Sequence, residues 1–162
     1  MTDGQAEPIR EGREPGEQAL ARSVGDHLMA RDLAARSLGI TLAEIRPGYA
    51  RCVMTVRADM LNGHRTLHGG MSFALADTAF ACACNARNRT TVAAGCDIVF
   101  PAAGRLGDTL IAEAVERHLA GRSGVYDVTI TNQDGTVLAL FRGRSRQIKG
   151  IIIPHEETAS DD

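Results

Sequence analysis

One segment restricts the fold more than any other. From Gly70 to Arg87 the chain carries alanine at 74, 76, 79, 81, 83 and 86, with Met71, Phe73, Leu75 and Phe80 between them. Asp77 is the one carboxylate in the stretch. The segment is too long for a strand and reads as a helix that is apolar almost all round, which is the mark of a buried helix. Its small side chains let a sheet approach the axis closely. The rest of the domain has to wrap around it.

The flanking segments supply a sheet. Ile40–Ile45 and Tyr49–Val56 read as short strands, the second alternating Cys52, Met54 and Val56 with Arg51, Val53 and Thr55, and Pro47-Gly48 between them is turn chemistry. Thr91–Phe100 is a further strand stopped by Pro101. Asp108–His118 is another, although its Ala and Glu content also permits a helix. Val125–Thr131 places Tyr126, Val128 and Ile130 on one face. Asp134-Gly135 then predicts a hairpin, because the turn needs positive φ, and Val137–Ile148 returns. A helix from Gln18 to Ser37, stopped by Gly39, precedes all of this. Helix, two strands, a buried helix and four strands make an α+β domain with a mostly antiparallel sheet on one central helix. Such a sheet leaves an edge strand that favours pairing with a second copy.

The 162 residues fit one domain. Residues 1–18, rich in Gly, Pro, Glu and Arg, read as a disordered arm. The folded domain spans 19–150, and 151–162 reads as a polar tail. A net charge of −2 and only six aromatic residues argue against nucleic-acid binding. No signal-peptide pattern and no long apolar run are present, so the expectation is a cytoplasmic protein without membrane contact. The four cysteines then read as free thiols. Cys82 and Cys84 are spaced wrongly for a zinc pair, and the glycines beside His64 and His68 argue against a helical metal pair, so no metal and no cofactor are expected.

Chemistry concentrates where a loop enters the central helix, from Leu61 through Asn62, Gly63 and His64 to His68-Gly69-Gly70. Unpaired backbone N–H groups at a Gly-Gly helix start can face an oxyanion, and the helix dipole adds positive charge. Asp77 inside an apolar helix costs several kcal/mol unless it is paired or hydrogen-bonded. A tight turn and a solvent-facing Asp would also account for these features singly.

Asn62, His68-Gly69-Gly70 and Leu75-Ala76-Asp77-Thr78 together resemble the active-site segment of the hotdog-fold acyl-CoA thioesterases, and within them the phenylacetate-degradation (PaaI-like) group. Gly124-Val125-Tyr126-Asp127-Val128 and Ala139-Leu140-Phe141-Arg142-Gly143 extend the similarity over residues 59–149. The resemblance implies hydrolysis of acyl-CoA thioesters, phenylacetyl or related aryl-acyl groups among them. Asp77 would act as general base or nucleophile, the Gly69 amide would polarise the carbonyl, Asn62 would position water or the carbonyl oxygen, and His68 would shape the turn. The family's hydroxyl at the start of the strand after the helix is missing, since that strand reads Ala93-Ala94-Gly95-Cys96, with Thr91 slightly earlier.

Gly69 and Asp77 lie eight residues apart, roughly 12 Å along one helix. They cannot touch the same thioester carbon from one chain. A homodimer is therefore expected, and the resemblance extends this to a tetramer. For the CoA phosphates the candidates are Gly70, Arg117, His118, Arg122, Ser123 and Gly124, with Arg142, Arg144 and Arg146 on one face of the last strand. Alternative readings are a hotdog enoyl-CoA hydratase, disfavoured because no His follows Asp77, and an acyl-CoA sensor, disfavoured because no effector module is visible.

Overall fold

A computed structural model describes residues 15–154. Helices α1 (Pro15–Arg31) and α2 (Leu33–Leu38) lead into strands β1 (Thr41–Arg46) and β2 (Tyr49–Thr55). Helix α3 (Gly69–Asn85) follows a single 3-10 turn at Ala58–Met60. Strands β3 (Thr91–Val99), β4 (Thr109–Ala120), β5 (Ser123–Thr131) and β6 (Val137–Gln147) complete the domain.

The six strands form one antiparallel sheet in the order β1-β2-β4-β5-β6-β3. All six touch α3, so the sheet wraps the helix. The alanines do what their size predicts: Ala76, Ala79 and Ala83 are fully buried. Phe80 supplies the bulk, with its ring 5.4 Å from Tyr126 and 5.8 Å from Phe141. It is seated on Gly143, where a Cβ would stand 2.8 Å from the ring. Such aromatic contacts add about 0.5–1.5 kcal/mol each beyond the area they bury.

The expected first helix is two helices. Asp32 interrupts it, its carboxylate accepting the Ala35 N–H at 2.8 Å as the N-cap of α2. Gly39, in the left-handed region at φ +70°, then ends α2. α1 begins at Pro15, ahead of the expected Gln18; a first-turn proline has no N–H to leave unpaired. Residues 1–14 of the expected arm and 155–162 of the expected tail lie outside the described residues. The start of that tail is held: Asn88 accepts the Ile152 and Ile153 N–H groups and donates to the Ile153 carbonyl. Asn132 closes the β5–β6 hairpin, its side chain accepting from Asp134 and Thr136 N–H while Gly135 takes φ +79°. No helix among the described residues is long and apolar enough to cross a membrane.

The two ends of the sheet differ. α1 packs on β1. β3 pairs with β6 alone and leaves its other edge open. Val92, Ala93 and Ala94 are exposed along it, and Val99 and Phe100 beyond them.

Candidate active site

The loop before α3 is built to deliver its first turn. An isolated bridge joins Leu61 to Leu67, and the His68 N–H reaches the Met60 carbonyl at 2.9 Å. Inside this loop the Asn62 side-chain oxygen accepts from the His64 and Thr66 N–H groups, and its amide donates to Thr66 Oγ1 at 3.1 Å. One amide hydrogen of Asn62 is left without a partner among the described residues. His68 is the N-cap: its Nδ1 accepts the Gly70 N–H at 2.9 Å, and its carbonyl accepts the Met71 N–H. The Gly69 N–H donates to no described residue. It is a free donor at the positive end of a 17-residue helix. The Phe100 ring lies over it, 3.0 Å from where a Cβ of residue 69 would sit.

Asp77 stands two turns further on. Residues 69, 70, 71, 73, 74, 77 and 81 form the incompletely buried stripe of α3, and on it Asp77 is half-buried. Its neighbours on the stripe are glycine, alanine and Phe73, whose ring meets Phe141 edge-on at 5.5 Å. The carboxylate accepts no hydrogen bond and forms no ion pair with any described residue. Burial, and next the charge of Asp32 at the α1–α2 elbow, push its pKa above the ordinary 3.8. A basic oxygen and a free N–H donor are the parts that acyl transfer needs, and one helix holds them roughly 12 Å apart.

The thiols do not compete for this role. Cys52 is buried and faces Cys82, whose hydrogen bond, together with burial, drives its pKa far up. Burial pushes the Cys84 thiol up to about 12. All four cysteines are free. Neutral thiols of this kind are poor nucleophiles.

The expected CoA contacts are dispersed. Gly70 is at the helix start, its N–H spent on His68. Arg117 occupies a bulge of β4 on the outer face of the sheet, where it and Arg142 clamp Asp127 at 3.0 and 2.7 Å. Those two guanidiniums, Arg142 foremost, hold the Asp127 carboxyl below its usual range. Arg144 pairs with Asp97 and Arg146 with the Ser123 hydroxyl on the same face. His118 is exposed. Arg122 tips the tight β4–β5 turn, and Gly124 is buried beneath Ser145. Phe100 and Asp32 carry no signal in the sequence, since both come to α3 only through the tertiary fold.

Comparison with known proteins decides the family. Residues 64–139 match the thioesterase superfamily. The chain is 50% identical over 121 residues to the Escherichia coli acyl-coenzyme A thioesterase PaaI, covering 75% of this chain and 86% of that protein. The chain belongs to the thioesterase superfamily. The solved structure of E. coli PaaI, from the phenylacetic acid degradation operon, superposes on this thioesterase with a TM-score of 0.82 at 45% identity, over 83% of this chain and 97% of that one. The phenylacetic acid degradation protein PaaI of Thermus thermophilus matches at 0.70 and 37% identity, over 72% of this chain and 100% of that one. A Streptococcus mutans protein solved with acetyl CoA shares the fold at 24% identity and a TM-score of 0.67, over 69% of this chain and 90% of that one. The hotdog architecture of this thioesterase is the one its sequence implies.

Proposed function

We propose that this thioesterase hydrolyses acyl-CoA thioesters, arylacetyl groups among them, at sites shared between two copies of the chain. The observation that carries this reading is the partnerless pair on α3: a free Gly69 N–H and an unpaired Asp77, about 12 Å apart on one stripe. A second chain laid against that stripe and the open β3 edge brings the partner subunit's Asp77 to this Gly69. The Gly69 amide then receives the thioester oxygen. The carboxylate either takes the proton of an attacking water or attacks the carbonyl carbon itself. In both routes the C–S bond breaks, and CoA leaves as the thiol with a proton originating from water; in the second, water then hydrolyses the mixed anhydride on Asp77 to the free acid and the regenerated carboxylate. Asn62 and His68 serve by holding the loop and the first helical turn, and the uncommitted Asn62 N–H is available to water or to the carbonyl oxygen. Identity to the E. coli and T. thermophilus PaaI proteins supports the substrate class. Two such dimers form the tetramer.

The test is complementation between two inactive variants. Gly69→Pro deletes the N–H at a first-turn position that accepts proline, after a residue already extended at φ −65°, ψ 129°; its Cβ meets the exposed Phe100 ring at 3.0 Å, so Phe100→Ala is the matched background, and circular dichroism checks the fold. Asp77→Asn deletes the carboxylate. Each alone is expected to release no CoA from phenylacetyl-CoA. Mixed at equal amounts after reversible dissociation, they form hybrid dimers with one intact site, restoring about a quarter of wild-type activity. No recovery in verified hybrids would place both groups in one chain's site and end the shared-site reading. No thiol release by folded wild type from any acyl-CoA would end the thioesterase reading itself.

A further inference from the structure

The candidate active site uses one stripe of α3, and another stripe carries sulfur. Cys82 stands five residues past Asp77, roughly 140° further round the helix. Its Sγ lies 4.0 Å from Met29 Sδ on α1 and meets the Cys52 thiol on β2. We propose that these three sulfurs form a binding site for a soft monovalent metal ion of the cuprous class, entered from the groove between α1, α2 and β1.

Geometry comes first. Three separate elements, α1, β2 and α3, contribute one sulfur each. A metal held in one plane by three sulfurs at about 2.3 Å, the ordinary metal–thiolate distance, sets them about 4.0 Å apart. Met29 and Cys82 already have that separation. The neighbouring Cys84 is engaged elsewhere. Its Sγ donates to the Ala81 carbonyl at 3.5 Å and accepts from the Asn85 side-chain amide.

The donor set chooses the ion. Thiol and thioether sulfurs are soft ligands, suited to cuprous copper over ions that seek oxygen. Among the described residues no three His, Cys, Asp or Glu side chains come together as ligands, so zinc finds no fourfold set.

A way in is present. A groove of about 480 Å³ is lined by Met29, Ile40, Leu42, Asp26 and Arg36, among others. Met29 is half-buried at its wall, and the Cys82 and Cys52 thiols are buried behind it. An unbranched thioether is flexible enough to let an ion past. Asp26 is paired with Arg22. Arg36 donates to the Ala30 carbonyl and pairs with no described carboxylate. Binding sends both thiol protons to solvent and leaves one net negative charge on the copper–dithiolate unit. The Arg36 guanidinium in the groove offsets that charge.

The experiment titrates the reduced full chain, without oxygen, with cuprous ion against a chromogenic cuprous chelator. Wild type is expected to withhold one equivalent from the chelator. Met29→Leu, which conserves volume, is expected to bind at least tenfold more weakly with an unchanged circular-dichroism spectrum. Cys52→Ala and Cys82→Ala are expected to withhold none. Cys96→Ala removes the one thiol of the four that is not buried and is expected to bind as wild type does. X-ray absorption by the loaded chain should show three sulfurs at about 2.3 Å from copper. One equivalent of cuprous ion should raise the melting temperature, and zinc at the same concentration should not. Copper surrendered in full by wild type overturns the site. So does wild-type affinity in Met29→Leu or Cys52→Ala, and so does loss of binding in Cys96→Ala, which places the ion on an exposed thiol. If a cysteine variant fails to fold, Met29→Leu and the absorption spectrum decide. None of these readouts needs hydrolysis, so the site stands or falls apart from the thioesterase reading.

Discussion

Two half-buried carboxylates flank the same helix and meet opposite circumstances. Glu116, on β4, accepts two hydrogen bonds from Arg87 and one from the Tyr126 hydroxyl at 2.7 Å. Asp77, on α3, accepts none from the described residues. The Glu116 cluster ties the end of the helix to the sheet, and its contacts explain its presence. Nothing around Asp77 explains that residue as structure. A carboxylate left unmet on an apolar stripe is a cost carried by the folded chain, and the proposed chemistry with a second copy and a substrate would account for it.

The contrast breaks most easily at Asp77. Asp77→Asn should lower kcat/KM for phenylacetyl-CoA by at least about a hundredfold, or ~2.7 kcal/mol, with an unchanged circular-dichroism spectrum. A variant within tenfold of wild type removes Asp77 from the chemistry. Single-turnover hydrolysis in H₂¹⁸O then sharpens its role: label found in Asp77 marks a nucleophile, and label only in the released acid shows that water attacks the acyl carbon.

Glu116→Gln should do the reverse. It leaves kcat in place and costs about 1–2 kcal/mol of stability, discounted from a fully buried pair because both partners retain solvent contact. Thermal melts read this as a fall of roughly 2–8 °C.

The pH dependence separates the two sites further. The Asp77 pKa is raised in the folded state, so its contribution to stability is full below the ordinary value near 3.8 and is lost as pH rises through the raised value. Asp77→Asn, which cannot ionise, should therefore melt higher than wild type at neutral pH, with the gain gone near pH 3. The acid limb of wild-type kcat/KM should likewise lie above 3.8. A melt of the variant below wild type at pH 7 contradicts the unmet carboxylate. The smallest effect belongs to the exposed Arg22–Asp26 pair on α1, where Asp26→Asn should cost no more than about 0.5 kcal/mol in urea titration.

Much of this was legible in the residues themselves. Tyr126, Val128 and Ile130 alternate in the sequence and are buried together, and the alanines of α3 predicted a wrapped helix. The helix start at Gly69 and the partly buried Asp77 could be read as candidates because local rules govern helix starts and buried charge. The break at Asp32 could not, since an acidic residue at that spacing also suits the exposed face of a continuing helix. Nor could the neighbourhood of Arg122: it reads as a loop residue, and only the pairing of β5 with β6 brings Ser145 and Gln147 beside that turn. Arg117 and Arg142 illustrate the same limit from the other side: the sequence offers Arg117 with a loop and period two puts Arg142 on a strand face, and neither says that Asp127 would occupy both.

If a second copy completes the site across the open edge of β3, as proposed, the arrangement has a kinetic consequence. An enzyme whose site is completed by its own twin is a reactant in its own assembly. Above the dissociation constant of the pair, velocity follows enzyme concentration to the first power; below it, velocity follows the square. A thioesterase so built is switched on by abundance, and a cell that makes too little of it makes almost none of its activity.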